Sequence, residues 1–182
     1  FDWSSTRFAL FRTTWNYFHH MDAFSQWMNH AISQTTFINA GKLVRWNIDK
    51  HYLQDLGDAG INIIPTRYIK RGAELSMRNL TRIAGWEHAV IKPVIGGGGR
   101  HTFRINPGNV DDVAAKLETI MQQEDFMIQP FQNAVPVSGE WSYIFFGEQY
   151  SHAVLKKAKP GDFRVQDDFG GTVQLHPAQP SE

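Results

Sequence analysis

Four consecutive glycines, Gly96, Gly97, Gly98 and Gly99, follow the stretch Val90-Ile91-Lys92-Pro93 and precede Arg100, His101 and Thr102. Glycine lets successive backbone N–H groups point into one concavity, an arrangement that suits phosphate oxygens. The run is not a P-loop, because no Gly-Lys-Ser/Thr follows and the next element reads as a strand. For the same reason it is not a dinucleotide fingerprint. The plain alternative is a flexible hairpin tip. Lys92 lies on an apolar strand, where a cation is costly without an anionic partner. Lys50 falls in the first turn of an expected helix, the end at which the dipole disfavours positive charge. Two such lysines near a glycine loop suggest a polyphosphate ligand, against the blander reading of side chains reaching out to solvent.

Two further segments carry chemistry. In Met127-Ile128-Gln129-Pro130-Phe131 a proline frees the end of a strand, whose N–H and C=O groups can meet a base edge, and the acid of Gly139-Glu140 can hold ribose hydroxyls. An ordinary exit from strand to loop explains the same residues. Lys156-Lys157, Gly161-Asp162-Phe163-Arg164-Val165-Gln166 and Gly170-Gly171 offer a planar guanidinium for phosphate or carboxylate and a backbone open to close approach. A solvated basic loop is the alternative. The eight histidines lack metal-ligand spacing such as H-E-x-x-H and read as surface or core residues. His101, at the edge of the glycine loop, is the one to test.

The elements that must position these residues follow from periodicity. Trp15, Phe18, Phe24, Trp27, Met28 and Ala31 recur at helical spacing. Asn47 can cap a helix through Tyr52, Leu53 and Leu56 that Gly60 stops. Ile61 to Thr66 reads as a strand closed by Pro65, and Leu75 to Ile83 as a short helix. His88 to Lys92 and Thr102 to Ile105 flank the glycines as a hairpin-like unit. Asn106-Pro107 starts a helix whose stripe runs from Val110 to Met121. Phe126 to Phe131 is a strand, and Trp141 to Phe146 pairs with Tyr150 to Lys156 through Gly147-Glu148. After Lys157 the chain reads as loop. Helices mixed with hairpins indicate an α+β (mixed α/β) fold with antiparallel strands rather than a doubly wound parallel sheet.

The 182 residues balance 18 Lys+Arg against 18 Asp+Glu, with 42% hydrophobic residues, 13 Phe and 6 Trp. This is enough for a packed core, and it excludes disorder. Coating nucleic acid would need surplus positive charge. With no cysteine, a disulfide scaffold, thiol catalysis and thiolate zinc sites are excluded, and a cytoplasmic location is expected. No apolar run reaches the ~20 residues of a membrane span, and no signal peptide is visible. The chain opens on Phe1 rather than Met, and the expectation is a piece of a longer protein.

The ordered series Asn47-Ile48-Asp49-Lys50, Ile63-Ile64-Pro65-Thr66, Ile91-Lys92-Pro93, Gly96 to Gly99, Ile128-Gln129-Pro130-Phe131, Gly139-Glu140, Gly161-Asp162-Phe163-Arg164 and Phe169-Gly170-Gly171 resembles the ATP-grasp superfamily. Within it, the similarity is to the branch holding bacterial glutathione synthetase, the ribosomal-protein glutamate ligases and the cycloserine-forming cyclo-ligase. The resemblance implies that residues 1–44 are the tail of a preceding domain. Residues 45–132 would then form the lid subdomain with a connecting helix, and 133–182 the start of the C-terminal subdomain. It implies ATP as cofactor, in a cleft between two subdomains with antiparallel sheets. Lys50 and Lys92 would hold phosphates under a lid formed by Gly96, Gly97, Gly98 and Gly99. Gln129, Pro130 and Phe131 would line the adenine, Glu140 the ribose, and Lys157, Arg164 and Gln166 the γ-phosphate and an acyl phosphate. Some relatives have a carboxylate in place of Pro130 and an asparagine in place of Gln166.

The activity so implied is an ADP-forming ligation of a small-molecule carboxylate to an amine, with no nucleic acid or membrane partner; a homo-oligomer is compatible with it. The resemblance implies Mg²⁺ ligands in an Asp … Glu-x-Asn pattern on strands after the Gly-Gly loop, C-terminal to this chain; adjacent Asp167 and Asp168, expected to point apart in an extended segment, are not taken as substitutes. Little ligase activity is therefore expected of these residues alone. The alternative is a nucleotide-binding or interaction module without turnover.

Overall fold

Apolar residues at every second position make Ala89–Pro93 a strand with one face in a core: Ala89, Ile91 and Pro93 are buried, while Val90 and Lys92 are only partly so. The computed structural model describes residues 1–12, 14, 16–73, 76, 81, 82 and 85–177. It divides into two compact units, Phe1–Pro130 and Phe131–Glu182. The expected helix from Leu75 to Ile83 falls largely outside the described residues, as does Trp15.

The first unit opens with a strand β1 (Phe8–Leu10), a helix α1 (Met21–Gln34) and a strand β2 (Thr36–Ile38) parallel to β1. Phe11, Trp27 and Phe37 pack beside these elements, with Phe11 5.7 Å from Trp27 and 5.3 Å from Phe37 between ring centroids. Two helices follow, α2 (Gly41–Ile48) and α3 (Tyr52–Asp58). The sequence suggested one helix capped by Asn47, but Asn47 lies inside α2. The chain breaks at Asp49 because that residue bridges to Ile95 and its carboxylate accepts the His51 N–H. Residues 61–66 form no strand. Ile61 N–H closes the end of α3 on Leu56, Pro65 lacks an N–H, and pairing begins only at β3 (Arg67–Ile69).

The unit's main sheet has the order β3, β6 (Phe126–Pro130), β4 (Ala89–Pro93), β5 (Phe103–Ile105), all antiparallel. Helix α4 (Val110–Leu117) covers one face. There Val110, Val113, Leu117 and Met121 join Ile69, Ala89, Ile91, Ile105, Phe126 and Ile128 in one core. The helix starts three residues later than Pro107 suggests. Asn109 Oδ1 accepts the Asn106 N–H and Asn106 Oδ1 accepts the Gly108 N–H, so these side chains hold the segment in a turn.

The second unit contains a short helix α5 (Ala134–Ser138), then β7 (Glu140–Phe146), β8 (Gln149–Lys157) and β9 (Thr172–His176) in an antiparallel sheet. The hairpin β7–β8 matches its sequence expectation, with a register shift at Ile144/Phe145. Both α5 and β9 were missed. β9 completes the sheet beyond a stretch otherwise read as loop, from Lys157↔Thr172 to Ala153↔His176. No helix among the described residues is long and apolar enough to cross a membrane.

Candidate nucleotide-binding site

Strand register fixes which side chains share the sheet face opposite α4. Lys92 is paired with Met127, Val90 with Gln129 and with Arg104, and Tyr68 with Met127. Since Ile91, Ile128 and Ile69 fill the core, Tyr68, Lys92 and Gln129 belong to the other face. Lys92 therefore sits on an apolar strand without entering its core. Gln129 is buried and donates from Nε2 to Thr66 Oγ1 at 2.8 Å.

Lys50 reaches the glycine loop directly. Its Nζ donates to Val94 O at 3.2 Å and to Gly96 O at 2.8 Å. It lies in the turn between α2 and α3 rather than in the first turn of a helix, so the helix dipole does not account for its environment. Burial pushes its pKa down to about 8, the positive charge of Lys92 adds to that, and Asp49 opposes it. A surplus of positive charge at the root of the loop is the condition under which a bound anion gains most.

Side chains that the sequence did not single out build a clamp around Lys50. Tyr68 donates its hydroxyl to Lys50 O at 2.9 Å, and the His51 ring lies 4.3 Å from the Tyr68 ring. Asp49 Oδ1 holds His51 Nδ1 at 2.6 Å. The loop itself has Gly98 at φ +59°, Gly99 at φ +72° and His101 at φ +47°. Glycine adopts this left-handed backbone without a side-chain penalty, and the run needs it here.

In the second unit, Glu140 is paired with Lys156, whose Nζ lies 3.5 Å from Glu140 Oε1. Lys157 is exposed at the end of β8, opposite Thr172. Arg164 forks onto Asp162, Nε to Oδ1 at 3.0 Å and Nη2 to Oδ2 at 2.8 Å, and its guanidinium lies 3.5 Å from the centroid of Phe169. The Arg164 hydrogen bonds hold the Asp162 carboxyl well below the usual carboxylate range, against the effect of burial. Gln166 Oε1 is buried without a hydrogen-bond partner, a polar atom left facing inward. Phe131 meets Phe163, ring centroids 5.8 Å apart. Thus Lys50, Lys92 and the glycine loop come together with Gln129 on one sheet face of the first unit, and Pro130 ends that strand. Glu140, Lys157, Arg164 and Gln166 belong to the second.

Among the described residues no group of three or more His, Asp or Glu could hold a metal ion, and Asp167 Oδ1 instead accepts the Asp168 N–H at 3.1 Å.

An antiparallel sheet with a glycine loop between two of its strands is consistent with an ATP-grasp fold, and solved structures share that fold. The structure of the ATP-grasp ligase PsnB complexed with minimal precursor superposes with a TM-score of 0.58 at 18% identity, over 96% of this chain and 57% of that one. D-Cycloserine synthetase DcsG superposes with a TM-score of 0.86 at 27% identity, over 98% of this chain and 62% of that one. The cycloserine biosynthesis protein DcsG of Streptomyces lavendulae is 28% identical over 161 residues, 86% of this chain and 54% of its own length. The family described as "D-cycloserine synthetase DcsG, N-terminal domain" matches residues 1–39. The chain thus has an α+β ATP-grasp fold and is similar in sequence and structure to D-cycloserine synthetase. It spans about half the length of that curated relative.

Proposed function

We propose that this protein is an ATP-dependent, ADP-forming ligase that joins a small-molecule carboxylate to an amine through an acyl phosphate. The observation that carries this is Lys50 Nζ at 2.8 Å from the carbonyl of Gly96, beside the charge of Lys92, at the root of a four-glycine loop. A carboxylate oxygen of the substrate attacks the γ-phosphorus and ADP leaves. The amine nitrogen then attacks the acyl carbon, loses its proton, and phosphate departs. Both reacting groups belong to substrates, so the protein's part is positioning and charge neutralisation. Lys50, Lys92 and the loop N–H groups hold the phosphates, and Gln129, Pro130 and Phe131 face the adenine. Glu140 takes the ribose, while Lys157, Arg164 and Gln166 meet the transferred phosphate. Magnesium would neutralise phosphate charge in such a ligase; among the described residues no group of three or more His, Asp or Glu is placed to hold it.

The ligase relatives support turnover over a binding module without it. The test measures phosphate release with ATP, Mg²⁺ and an amino-acid panel on the full-length protein. Release that depends on one carboxylate substrate is expected; none across the panel contradicts ligation. Lys92→Ala should weaken ATP binding by about 1–3 kcal/mol, the scale of a lost hydrogen bond to a charged group. Unchanged affinity in a folded variant would refute the phosphate role.

A further inference from the structure

The end of the glycine loop is held by a pair that the reading above does not use. Arg100 forks onto Glu124, Nη1 to Oε2 and Nη2 to Oε1, both at 2.9 Å. Their side chains are 21% and 22% exposed, so neither charge is freely solvated. The Arg100 guanidinium also lies 5.6 Å from the centroid of Phe18, in the N-terminal segment. Phe18 further touches the start of the loop, since a Cβ on Gly97 would stand 3.2 Å from its ring. Arg100 N–H returns to Gly97 O at 3.1 Å. Loop start and loop end thus lean on one aromatic ring, and a carboxylate holds the only side chain between Gly96 and Arg100 that carries charge.

We propose that Arg100 is a parked phosphate anchor, held by Glu124 in the free protein and transferred to the terminal phosphate when ATP binds. The inference rests on the nucleotide reading of the loop. A guanidinium fork matches a phosphate as well as a carboxylate, so the exchange trades one bidentate ion pair for another of the same kind. Breaking a half-buried pair is normally costly because it strands a charge. Glu124 is not stranded here: His101 Nδ1 lies 3.2 Å from its Oε1 and stays as a partner. A triphosphate also brings more negative charge than Lys50 and Lys92 can balance. Glu124 therefore competes with the terminal phosphate, and removing its charge favours the nucleotide-bound state.

Calorimetric titration with ATP and with AMP separates this from a structural ion pair. Glu124→Gln, which keeps the shape of the side chain, should tighten ATP binding about threefold to tenfold and leave AMP unchanged. It should also speed tryptic cleavage after Arg100 in the free protein, with ATP slowing it again. Arg100→Ala should weaken ATP at least about tenfold while sparing AMP. Arg100→Lys, which keeps charge but not the fork, should fall between them and serves if the alanine variant misfolds. Unchanged or weaker ATP binding in Glu124→Gln overturns the proposal, as does equal loss of ATP and AMP in Arg100→Ala. If the unsubstituted chain binds no ATP, the nucleotide reading fails with it. If that chain binds ATP and Lys92→Ala weakens it, a null Glu124→Gln result overturns the exchange alone.

Discussion

Lys50 concentrates the argument at the scale of single residues. Its pKa of about 8, set first by burial and then by the charge of Lys92, makes nucleotide affinity depend on pH in a direction that can be derived. Below that value Lys50 is charged and phosphate binds without taking up a proton. Above it the free protein has lost the proton, while a bound phosphate favours the charged form. Binding must then recover a proton, and affinity should fall by up to about tenfold per pH unit. Titrations with ATP across the alkaline range should show this fall, and Lys50→Arg, charged throughout, should flatten it. An equal slope in both proteins would assign the proton elsewhere. The sequence marked Lys92 and the glycines because a cation on an apolar strand and four glycines in a row depart from what folding alone asks for; Lys50 was marked for a place in a helix's first turn that it does not occupy. It could not show the Lys50 clamp, since Tyr68 is 18 residues away. Nor could it show the Arg100–Glu124 pair, whose members are 24 apart.

Elements were legible where pattern and pairing agree. β4 and β5, flanking the glycines, and the β7–β8 hairpin, with its two-residue glycine turn, pair as expected; that β6 lies beside β4 was not legible. Ile61 to Ile64 has apolar residues too, yet among the described residues no strand pairs with it, and β-propensity without a partner makes no strand. β9 was hidden because Thr172 to Leu175 are all exposed and only His176 is partly buried, so no apolar face marks the strand. What brings β9 back to β8 is a close chain return at Gly171. A Cβ there would overlap the carbonyl oxygen of Val165 and stand 2.6 Å from the Val165 carbonyl carbon. Backbone cannot yield as a flexible side chain does, so Gly171→Ala should destabilise the protein by about 1–3 kcal/mol and disturb the segment that carries Arg164. Gly96→Ala, whose Cβ would meet only Pro93 at 3.7 Å or more, should stay within about 0.5 kcal/mol in the same urea unfolding measurement. Equal stability of the two variants would contradict the tight return.

At the scale of the whole molecule, two units divide the proposed work. The first offers cations and a glycine loop at the end of a well-packed sheet. The second offers the Arg164–Asp162 pair, the exposed Lys157 and the inward-facing Gln166 amide. D-Cycloserine synthetase DcsG shares this fold, and the chain covers 62% of that structure's length. Ligand binding to the folded state stabilises it by mass action, about 2.7 kcal/mol at a hundred times Kd. The central claim is that the glycine loop and its lysines read polyphosphate, and comparing ATP, ADP and AMP by calorimetry on the 182-residue chain tests it most directly. Affinity should rise with each added phosphate, and Lys92→Ala should erase most of that rise while leaving AMP nearly unchanged. Equal affinities for the three nucleotides, or a rise that survives Lys92→Ala intact, would contradict it.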